Sequence, residues 1–518
     1  MELTGKNFIG TETSENGSTT FQATNPVNSR KLEPRFHEAT QQEVDRAVEK
    51  AEEAFRKYSK KSGAEKAAFL EAIADEITAL GDALIDRCRR ETGLSEGRLS
   101  GERGRTTNQL RLFAELLREG SWVDARMDTD TEPVVKSMQI PLGPVGIFGA
   151  SNFPLAFSVA GGDTASALAA GCSIVVKGHP AHPGTSEMIA EAILAAVKKT
   201  GMPEGTFSMV HGVSHEVGMA IVQHPLIKAI GFTGSFKGGK AIFDAATDRP
   251  EPIPVYAEMG STNPIFVLPG ALREKREELA EGLTNSVNLG AGQFCTNPGL
   301  VAYLESEGAA EFRELLADHF SKHASDSMLT SGICAAYREG IETMQGQEGV
   351  EILARGEADG TENPGIPHLM QVDSSHFISN NVLEEEVFGP STLTIRAGSK
   401  EDLRKIAQQL SGHLTATLYG TEEDLADYSG IIEILRRKVG RLIFNGFPTG
   451  VKVCHSMVHG GPFPATTDSR TTSVGTAAIT RFTRPVCFQN FPDSRLPDAL
   501  KKDNPLGIWR LENGERTK

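Results

Sequence analysis

The sequence lacks the features of several large protein classes. Its six cysteines show no C-x-x-C spacing, which argues against a disulfide framework and a zinc site. No stretch approaches the roughly 18 apolar residues of a membrane helix, and the N-terminus has no signal-peptide pattern. A net charge of −15 argues against nonspecific nucleic-acid binding. We therefore expect a reduced, cytoplasmic protein with no metal, membrane or nucleic-acid partner.

What the sequence does contain is typical of a globular protein with large cores. Its 518 residues, 39% hydrophobic and 23% charged, correspond to about three domains. Capping-box patterns at Thr40 and Ser62 predict helices with apolar stripes. A third helix is predicted over about 97–117, and residues 121–143 alternate as extended strands do.

From Val145 onward, short apolar runs alternate with glycine-rich turns and helical segments. This pattern is typical of a parallel sheet with crossover helices, and so of an α/β fold. Ligands of such sheets bind at the carboxyl ends of the strands. The residues at those ends are Asn152 and Phe153 after the first run, Lys177 after the second, and Gly234 and Ser235 after the fourth.

Residues 286–298 present Cys295 in an unusual local sequence. Gly290, Ala291 and Gly292 precede the cysteine, so backbone and ligand can approach closely there. A thiol in such a place can be reached by a substrate. A free cysteine is more often a small buried hydrophobe, however, so this stretch alone leaves both interpretations open.

The turn F-T-G-S-F-K-G-G at 232–239 joins a predicted strand to a predicted helix. Amides exposed at a helix N-terminus bind anions, which suits the pyrophosphate of a dinucleotide. The turn is not the G-x-G-x-x-G pattern, and a plain strand–helix connection remains an alternative.

Six motifs follow one another along nearly the whole chain. They are S-N-F-P-L (151–155), V-V-K (175–177), F-T-G-S (232–235), E-M-G-S-T-N-P (258–264), G-Q-F-C (292–295) and E-E-V-F-G-P (385–390). In order and spacing they closely resemble the aldehyde dehydrogenase superfamily.

The resemblance implies a three-part subunit. A Rossmann-like cofactor-binding domain would comprise residues 1–120 and 144–259, and a second α/β domain, the catalytic one, residues 260–476. A β oligomerisation ribbon would combine residues 121–143 with 477–495. Such subunits form homodimers, and sometimes dimers of dimers, which predicts a homodimer or homotetramer.

Three residues of the motifs can be given chemical roles. Aldehyde oxidation by hydride loss needs a tetrahedral adduct, and the thiolate of Cys295 is a strong nucleophile for forming it. The Asn152 amide and the Cys295 N–H would stabilise the oxyanion. Glu258, set among small and apolar neighbours, should have a raised pKa and activate the water that hydrolyses the thioester. Together the three predict hydrolytic aldehyde oxidation.

The resemblance also assigns a nicotinamide cofactor site. Many family members carry, three residues after the lysine of the V-V-K motif, a glutamate that disfavours a ribose 2′-phosphate. That position is Pro180 here, with His179 and His182 nearby, so we predict NADP, with NAD as a weaker alternative. The implied contacts are Lys177, Pro180 and His182 near the adenosine ribose, Gly234, Ser235 and Gly239 at the pyrophosphate, and Glu386 and Phe388 at the nicotinamide ribose.

Departures from the common pattern indicate a branch of the superfamily. Ser261 and Thr262 replace the usual glycine and lysine after Glu258, and the 460–475 loop replaces the usual C-terminal motif. With G-A-S-N-F-P and K-G-H-P-A-H-P-G, these features resemble α-ketoglutaric semialdehyde (2,5-dioxovalerate) dehydrogenases. The same branch contains a fatty aldehyde dehydrogenase, which keeps an aliphatic substrate open.

Arg105 bears on that choice. Matching R-L-F-A (111–114) to the corresponding helix of the family places Arg105 at the substrate entrance, near Phe153. An arginine there suits the distal carboxylate of a short oxo-acid aldehyde. We therefore predict oxidation of 2,5-dioxovalerate to 2-oxoglutarate. Glu258 argues against a CoA-acylating enzyme, and the intact nucleophile and base argue against a structural protein that has lost catalysis.

Overall fold

Both predicted capping boxes start helices in the computed structural model, which describes residues 2–358 and 360–518. Thr40 and Ser62 are N-caps, and each exchanges hydrogen bonds with the glutamate three residues later. The predicted third helix extends by a residue or two at each end. The helices of the described chain are α1 (Gln41–Tyr58), α2 (Gly63–Ala79), α3 (Gly81–Thr92), α4 (Glu96–Glu119), α5 (Gly162–Ala170), α6 (Pro183–Thr200), α7 (His215–Gln223), α8 (Phe236–Thr247), α9 (Pro269–Glu274), α10 (Arg276–Asn288), α11 (Ala309–Lys322), α12 (Ser331–Gln345), α13 (Ser374–Ser379), α14 (Lys400–Gln409), α15 (Glu422–Asp427) and α16 (Ser429–Leu435).

The strands build three large sheets and two small ones. In chain order they are β1 (Asn7–Ile9), β2 (Glu12–Ser14), β3 (Thr20–Thr24), β4 (Lys31–His37), β5 (Arg126–Asp128), β6 (Val135–Pro141), β7 (Val145–Phe148), β8 (Ile174–Lys177), β9 (Phe207–Val210), β10 (Ala229–Thr233), β11 (Val255–Glu258), β12 (Ile265–Val267), β13 (Leu300–Leu304), β14 (Asp326–Ser327), β15 (Glu351–Arg355), β16 (Pro364–Gly365), β17 (His368–Asp373), β18 (Ser391–Ala397), β19 (His413–Tyr419), β20 (Val439–Phe444), β21 (Thr483–Gln489), β22 (Arg510–Glu512) and β23 (Glu515–Thr517).

The first sheet has the order β11-β10-β7-β8-β9-β1-β2, and β7 to β11 are parallel. Its strands are buried on both faces: Ile147 and Ile174 belong to one apolar cluster, and Val175 and Ile230 to another. The predicted parallel α/β sheet is confirmed. Its carboxyl edge carries Lys177 at the end of β8 and Glu258 at the end of β11.

The second sheet has the order β15-β17-β18-β13-β12-β19-β20, and only β15 is antiparallel to its neighbour. Residues 289–299 link α10 to β13, and residues 385–390 lead into β18. This sheet therefore presents the Cys295 loop and the E-E-V-F-G-P loop at one edge, since β13 and β18 are parallel neighbours.

The third sheet has the order β21-β6-β5-β22-β23. The two segments expected to form the ribbon do pair, because β6 and β21 are antiparallel over seven residues each. Strands β22 and β23 extend this sheet beyond the expected limit of residue 495, in a stretch that the sequence analysis left unassigned. The division into domains and the role of this sheet in assembly stay predictions. Among the described residues, no helix combines the length and apolarity needed to cross a bilayer.

Candidate active site

Cys295 lies half-buried in the loop between α10 and β13. Gly290 and Gly292 have φ values of 56° and 65°, in the left-handed region that favours glycine. A Cβ at Gly290 would lie 2.5 Å from Nη1 of Arg98, and one at Gly292 would collide with the backbone of Gly389. These two glycines therefore make room for an arginine of α4 and for the backbone of the 385–390 loop, so the expected close approach of backbone occurs at Gly292.

Glu258 lies beside Cys295, with only 2% of its surface exposed. His459 Nε2 is 3.0 Å from Glu258 Oε1 and 3.6 Å from Cys295 Sγ, and Ser473 Oγ donates to Glu258 Oε2 at 3.0 Å. Ligand atoms of the thiol, imidazole and carboxylate lie within 4.8 Å of one another and could together hold a metal ion. The expectation of no metal site rested on spacing along the chain, which cannot reveal residues so far apart in sequence.

The sequence analysis missed His459 and Ser473. His459 directly precedes the 460–475 loop and Ser473 lies within it, and the departure of this loop from the family pattern was the only signal available. The loop lies along β11, where the Met259 N–H donates to the Ala465 carbonyl at 2.8 Å. The loop and the preceding His459 therefore hold Glu258 in place.

The pKa of Glu258 is lowered, so the predicted raised pKa is wrong. Burial acts to raise it, but nearby His459 and hydrogen bonds with His459, Ser473 and Cys295 stabilise the carboxylate more strongly. The prediction failed because the neighbours of Glu258 along the chain are apolar, whereas its neighbours in space are polar. Glu258 is therefore ionised at neutral pH.

Cys295 shows the opposite shift. Burial raises the pKa of its thiol well above the usual value, the charges of Glu258 and Glu386 raise it further, and Arg105 opposes them. At neutral pH the residue is therefore a thiol lying against a carboxylate. The carboxylate lies within reach of the thiol proton, while both pKa shifts keep that proton on the sulfur.

Asn152 lies where an oxyanion donor would be useful. Its side chain is 7% exposed, and Nδ2 donates to the carbonyl of Gln293 at 3.0 Å, two residues before Cys295. The amide has a second N–H to offer. The backbone N–H of Cys295 makes no hydrogen bond to any residue that the structure describes.

Lys177 and its neighbours lie at the end of β8. Its Nζ donates to the Gly212 carbonyl at 2.7 Å, and burial lowers its pKa to about 8. Pro180 is half-buried. His182 is fully buried, with ring nitrogens 3.1 Å from the Ala150 carbonyl and 3.3 Å from Ser186 Oγ, and burial lowers its pKa. His182 is therefore neutral at pH 7 and offers no charge to a phosphate.

The predicted pyrophosphate turn forms the start of α8. Ser235 is its N-cap, and both Gly234 and Ser235 are exposed, so the first amides of the helix are open to a ligand. Gly239 is different: it is buried, and a Cβ there would lie 2.6 Å from Met259 Cγ. Gly239 therefore serves the packing of α8 and lies behind the turn. The exposed amides fit a nucleotide pyrophosphate.

Glu386 and half-buried Phe388 belong to the loop before β18. Glu386 is exposed as a whole residue, but protein atoms packed around its carboxyl group keep water from part of it. This desolvation, with a contribution from the charge of Glu258, raises its pKa to about 7. The Ser261 N–H donates to its Oε1 at 3.3 Å. This carboxylate could accept hydrogen bonds from ribose hydroxyls.

Arg105 points from α4 towards the catalytic residues. Its Nε donates to the Val451 carbonyl at 3.3 Å, and its guanidinium lies 4.7 Å from the centre of the Phe157 ring. Nη1 and Nη2 are buried, and neither has a hydrogen-bond partner in the described part of the chain. Phe153, half-buried, packs 5.4 Å from the Phe157 ring.

Arg441 of β20 was missed by the sequence analysis. Its Nη1 donates to the Gly450 carbonyl at 3.2 Å, next to the Val451 carbonyl that Arg105 contacts. Its Nε is buried without a partner among the described residues. Burial lowers its pKa, and ionisation of Cys295 would act in the other direction, so a second guanidinium lies near the thiol.

Comparison with known proteins agrees with this geometry. The model of the aldehyde dehydrogenase family matches residues 13–482. The chain belongs to the aldehyde dehydrogenase family. The predicted resemblance and fold are thereby confirmed, and the protein is an aldehyde dehydrogenase enzyme rather than a protein of another class.

Similar proteins include two bacterial enzymes that match along their whole length. The alpha-ketoglutaric semialdehyde dehydrogenase 2 of Azospirillum brasilense is 48% identical over 523 residues, which cover 99% of this chain and 100% of that protein. The alpha-ketoglutaric semialdehyde dehydrogenase of Acinetobacter baylyi is 46% identical over 524 residues, which cover 100% of this chain and 99% of that protein. The crystal structure of Staphylococcus aureus betaine aldehyde dehydrogenase in complex with NAD+ superposes with a TM-score of 0.81 at 20% identity, covering 94% of this chain and 95% of that one. That last likeness is one of fold.

Proposed function

We propose that this aldehyde dehydrogenase oxidises 2,5-dioxovalerate (α-ketoglutaric semialdehyde) to 2-oxoglutarate, with NADP as its preferred cofactor. Two atoms of Arg105 carry the proposal. Its Nη1 and Nη2 are buried near the Cys295 thiol, and neither has a hydrogen-bond partner among the described residues. The names of the two whole-length relatives support the same substrate. The overall reaction consumes aldehyde, water and oxidised cofactor, and releases carboxylate, reduced cofactor and two protons.

The first chemical step joins the thiol to the aldehyde. Glu258 takes the proton of Cys295, and the sulfur then attacks the carbonyl carbon. The negative charge that develops on the aldehyde oxygen is met by the Asn152 amide and the Cys295 N–H. Removing one such donor typically costs about 10²–10³ in rate.

The second half of the reaction releases the acid. The family supports a nicotinamide nucleotide, which when bound accepts the hydride that leaves the adduct. Glu258 first releases to solvent the proton that it took from Cys295. The ionised carboxylate then deprotonates the water that hydrolyses the thioester on Cys295, and the second proton is released with the acid. His459 and Ser473 hold that carboxylate ionised and oriented. A base so placed disfavours transfer of the acyl group to CoA.

Recognition of the substrate depends on the two arginines. A carboxylate accepts bidentate hydrogen bonds from a guanidinium, which matches the two free Nη atoms of Arg105. Arg441, bonded to the adjacent peptide carbonyl, adds positive charge to the same pocket. An aliphatic aldehyde, the alternative substrate, would leave the buried donors of Arg105 unsatisfied, at a cost of about 1–3 kcal/mol each.

Arg105→Ala tests the substrate. We expect kcat/KM for 2,5-dioxovalerate to fall by about 10²-fold or more, because a charge-assisted contact is lost, while an uncharged aldehyde of similar length loses little. Arg103→Ala is the matched control, since this neighbouring arginine of α4 donates to the Gly81 carbonyl instead. Equal losses of activity on the charged and uncharged aldehydes would remove the proposal.

The preference for NADP rests on Lys177 and Pro180. Pro180 presents no carboxylate to repel a 2′-phosphate, and Lys177 supplies a cation below pH 8 or so. His179 and His182 do not add charge, because burial lowers the pKa of both. Comparison of kcat/KM with NADP and NAD tests the preference, and a clear advantage for NAD would refute it.

Assembly as a homodimer or homotetramer, in the cytoplasm, completes the proposal. The edge strand β21 supports it, because its outer side has no pairing strand in the described chain and offers backbone groups to another subunit. Light scattering on the purified protein would give the number of subunits.

A further inference from the structure

One face of α4 runs along the loop that carries Asn152. Three charged side chains lie on this face, because Glu102 follows Arg98 by four residues and Arg105 follows Glu102 by three. Each contacts a different part of residues 152–157. The helix therefore holds this loop at three successive points.

Glu102 makes the central contact. Its Oε1 accepts hydrogen bonds from the N–H groups of Leu155 at 2.8 Å and Ala156 at 2.9 Å. The side chain is 6% exposed. Burial raises its pKa, although those bonds and the charges of Arg98 and Arg105 oppose the rise. The loop is not part of a helix or sheet, so Glu102 takes the place of a backbone acceptor for these two N–H groups.

Arg98 joins the Asn152 loop to the Cys295 loop. Its Nη2 donates to the backbone carbonyl of Asn152 at 2.7 Å. Its guanidinium lies 5.1 Å from the centre of the Phe153 ring and 4.5 Å from that of Phe294, the residue before Cys295. One side chain thus contacts both the proposed oxyanion donor and the neighbour of the nucleophile.

The Cys295 loop is shaped around this arginine. Gly290, with φ at 56°, leaves the space that Nη1 of Arg98 fills, and any Cβ there would lie 2.5 Å from that atom. A side chain at this position would displace the guanidinium from its place beside the two rings, which themselves contact each other edge to face at 5.4 Å. The glycine and the arginine therefore form one packing unit.

We propose that Arg98 and Glu102 are positioning residues that fix the Asn152 amide opposite Cys295. The inference rests on the oxyanion role proposed for Asn152. An oxyanion donor acts only within about 2.7–3.1 Å of the developing charge, so a small shift of its loop slows the reaction. A misplacement of about 1 Å can cost 10²-fold.

The test compares Glu102→Ala with Glu102→Gln. We expect Glu102→Ala to lower kcat/KM for the aldehyde by about 10- to 100-fold, chiefly through kcat. Glutamine restores most of the activity, because its Oε1 can accept the same two N–H bonds. Arg103→Ala, on the same helix but away from the loop, serves as control.

A second measurement separates positioning from general damage. Alkylation of Cys295 by iodoacetamide needs no oxyanion donor, so its rate, followed by the mass of the Cys295 peptide, stays as in the wild type. The burst of reduced cofactor, which needs the donor, slows. Equal slowing of alkylation and burst would overturn the inference. Arg98→Met, which keeps an unbranched side chain beside the two rings, gives the same test should Glu102→Ala not fold.

Double variants decide whether the effect passes through Asn152. If it does, Asn152→Ala combined with Glu102→Ala is no slower than Asn152→Ala alone. Additive losses would refute the positioning role while leaving the proposed function intact. An Asn152→Ala variant as active as the wild type would instead refute the oxyanion role itself.

Discussion

Replacement of His459 tests the electrostatics of the catalytic base. His459 Nε2 lies 3.0 Å from Glu258 Oε1, in a place where both side chains are almost fully buried. In His459→Phe the ring remains and the donor is lost, so burial is opposed only by Ser473 and Cys295. The pKa of Glu258 therefore rises.

The size of the effect follows from the kind of bond removed. A hydrogen bond to a charged group is worth about 1.5–3 kcal/mol, which corresponds to about a 10- to 100-fold gain in the proton affinity of the carboxylate. The base works only when ionised. We therefore expect the acid limb of the pH profile of kcat to move upward by about one to two pH units in the variant, while activity at alkaline pH is unchanged.

The assay is the pH dependence of kcat, with single-turnover measurements to separate adduct formation from hydrolysis. His459→Gln is the matched control, because an amide can still donate to Glu258 and should move the limb less than phenylalanine does. If the acid limb of the kcat profile has the same midpoint in the wild type and in both variants, His459 does not stabilise the ionised base and the reasoning is refuted.

Four further predictions concern the same cleft. Ser473→Ala removes the neutral donor to Glu258 Oε2 and should shift the acid limb in the same direction as His459→Phe but by less, since a neutral hydrogen bond contributes about 0.5–1.5 kcal/mol. Pro180→Glu should lower kcat/KM with NADP and spare that with NAD, and equal changes would contradict the proposed ribose contact. The KM for NADP, but not for NAD, should rise above pH 8, because Lys177, with its pKa of about 8, loses its charge there. Cys295→Ala should abolish oxidation while leaving cofactor binding measurable by fluorescence, and residual turnover would refute the nucleophile.

Local patterns in the sequence predicted local structure well. The capping boxes at Thr40 and Ser62 and the apolar runs from Val145 depend on neighbours in the chain, and both occur in the fold. Strands β22 and β23 escaped prediction because they are three residues each and depend on tertiary pairing, β22 with β5 and β23 with β22.

The site shows the corresponding limit. Motifs identified Cys295, Glu258 and Asn152, and the structure brings these residues together. His459 lies 201 positions from the carboxylate it contacts, so only the folded chain places the two side by side. The same separation along the chain explains why the pKa of Glu258 was predicted to be raised when it is lowered, since its surroundings could not be inferred from Ala257 and Met259. Arg98 lies on the predicted third helix, and its local sequence does not indicate its contact with Asn152.

The opposite pKa shifts of Cys295 and Glu258 have one structural cause, their direct contact inside the protein. The charge of the carboxylate raises the pKa of the thiol, and the thiol, with His459 and Ser473, helps to lower the pKa of the carboxylate. The two bonds to Oε1 and Oε2 leave Glu258 little freedom to turn. A single position of this carboxylate must therefore serve both proton transfers. Once the sulfur is acylated it no longer offers a proton, and the water for hydrolysis can take the place of the thiol as the donor to Glu258.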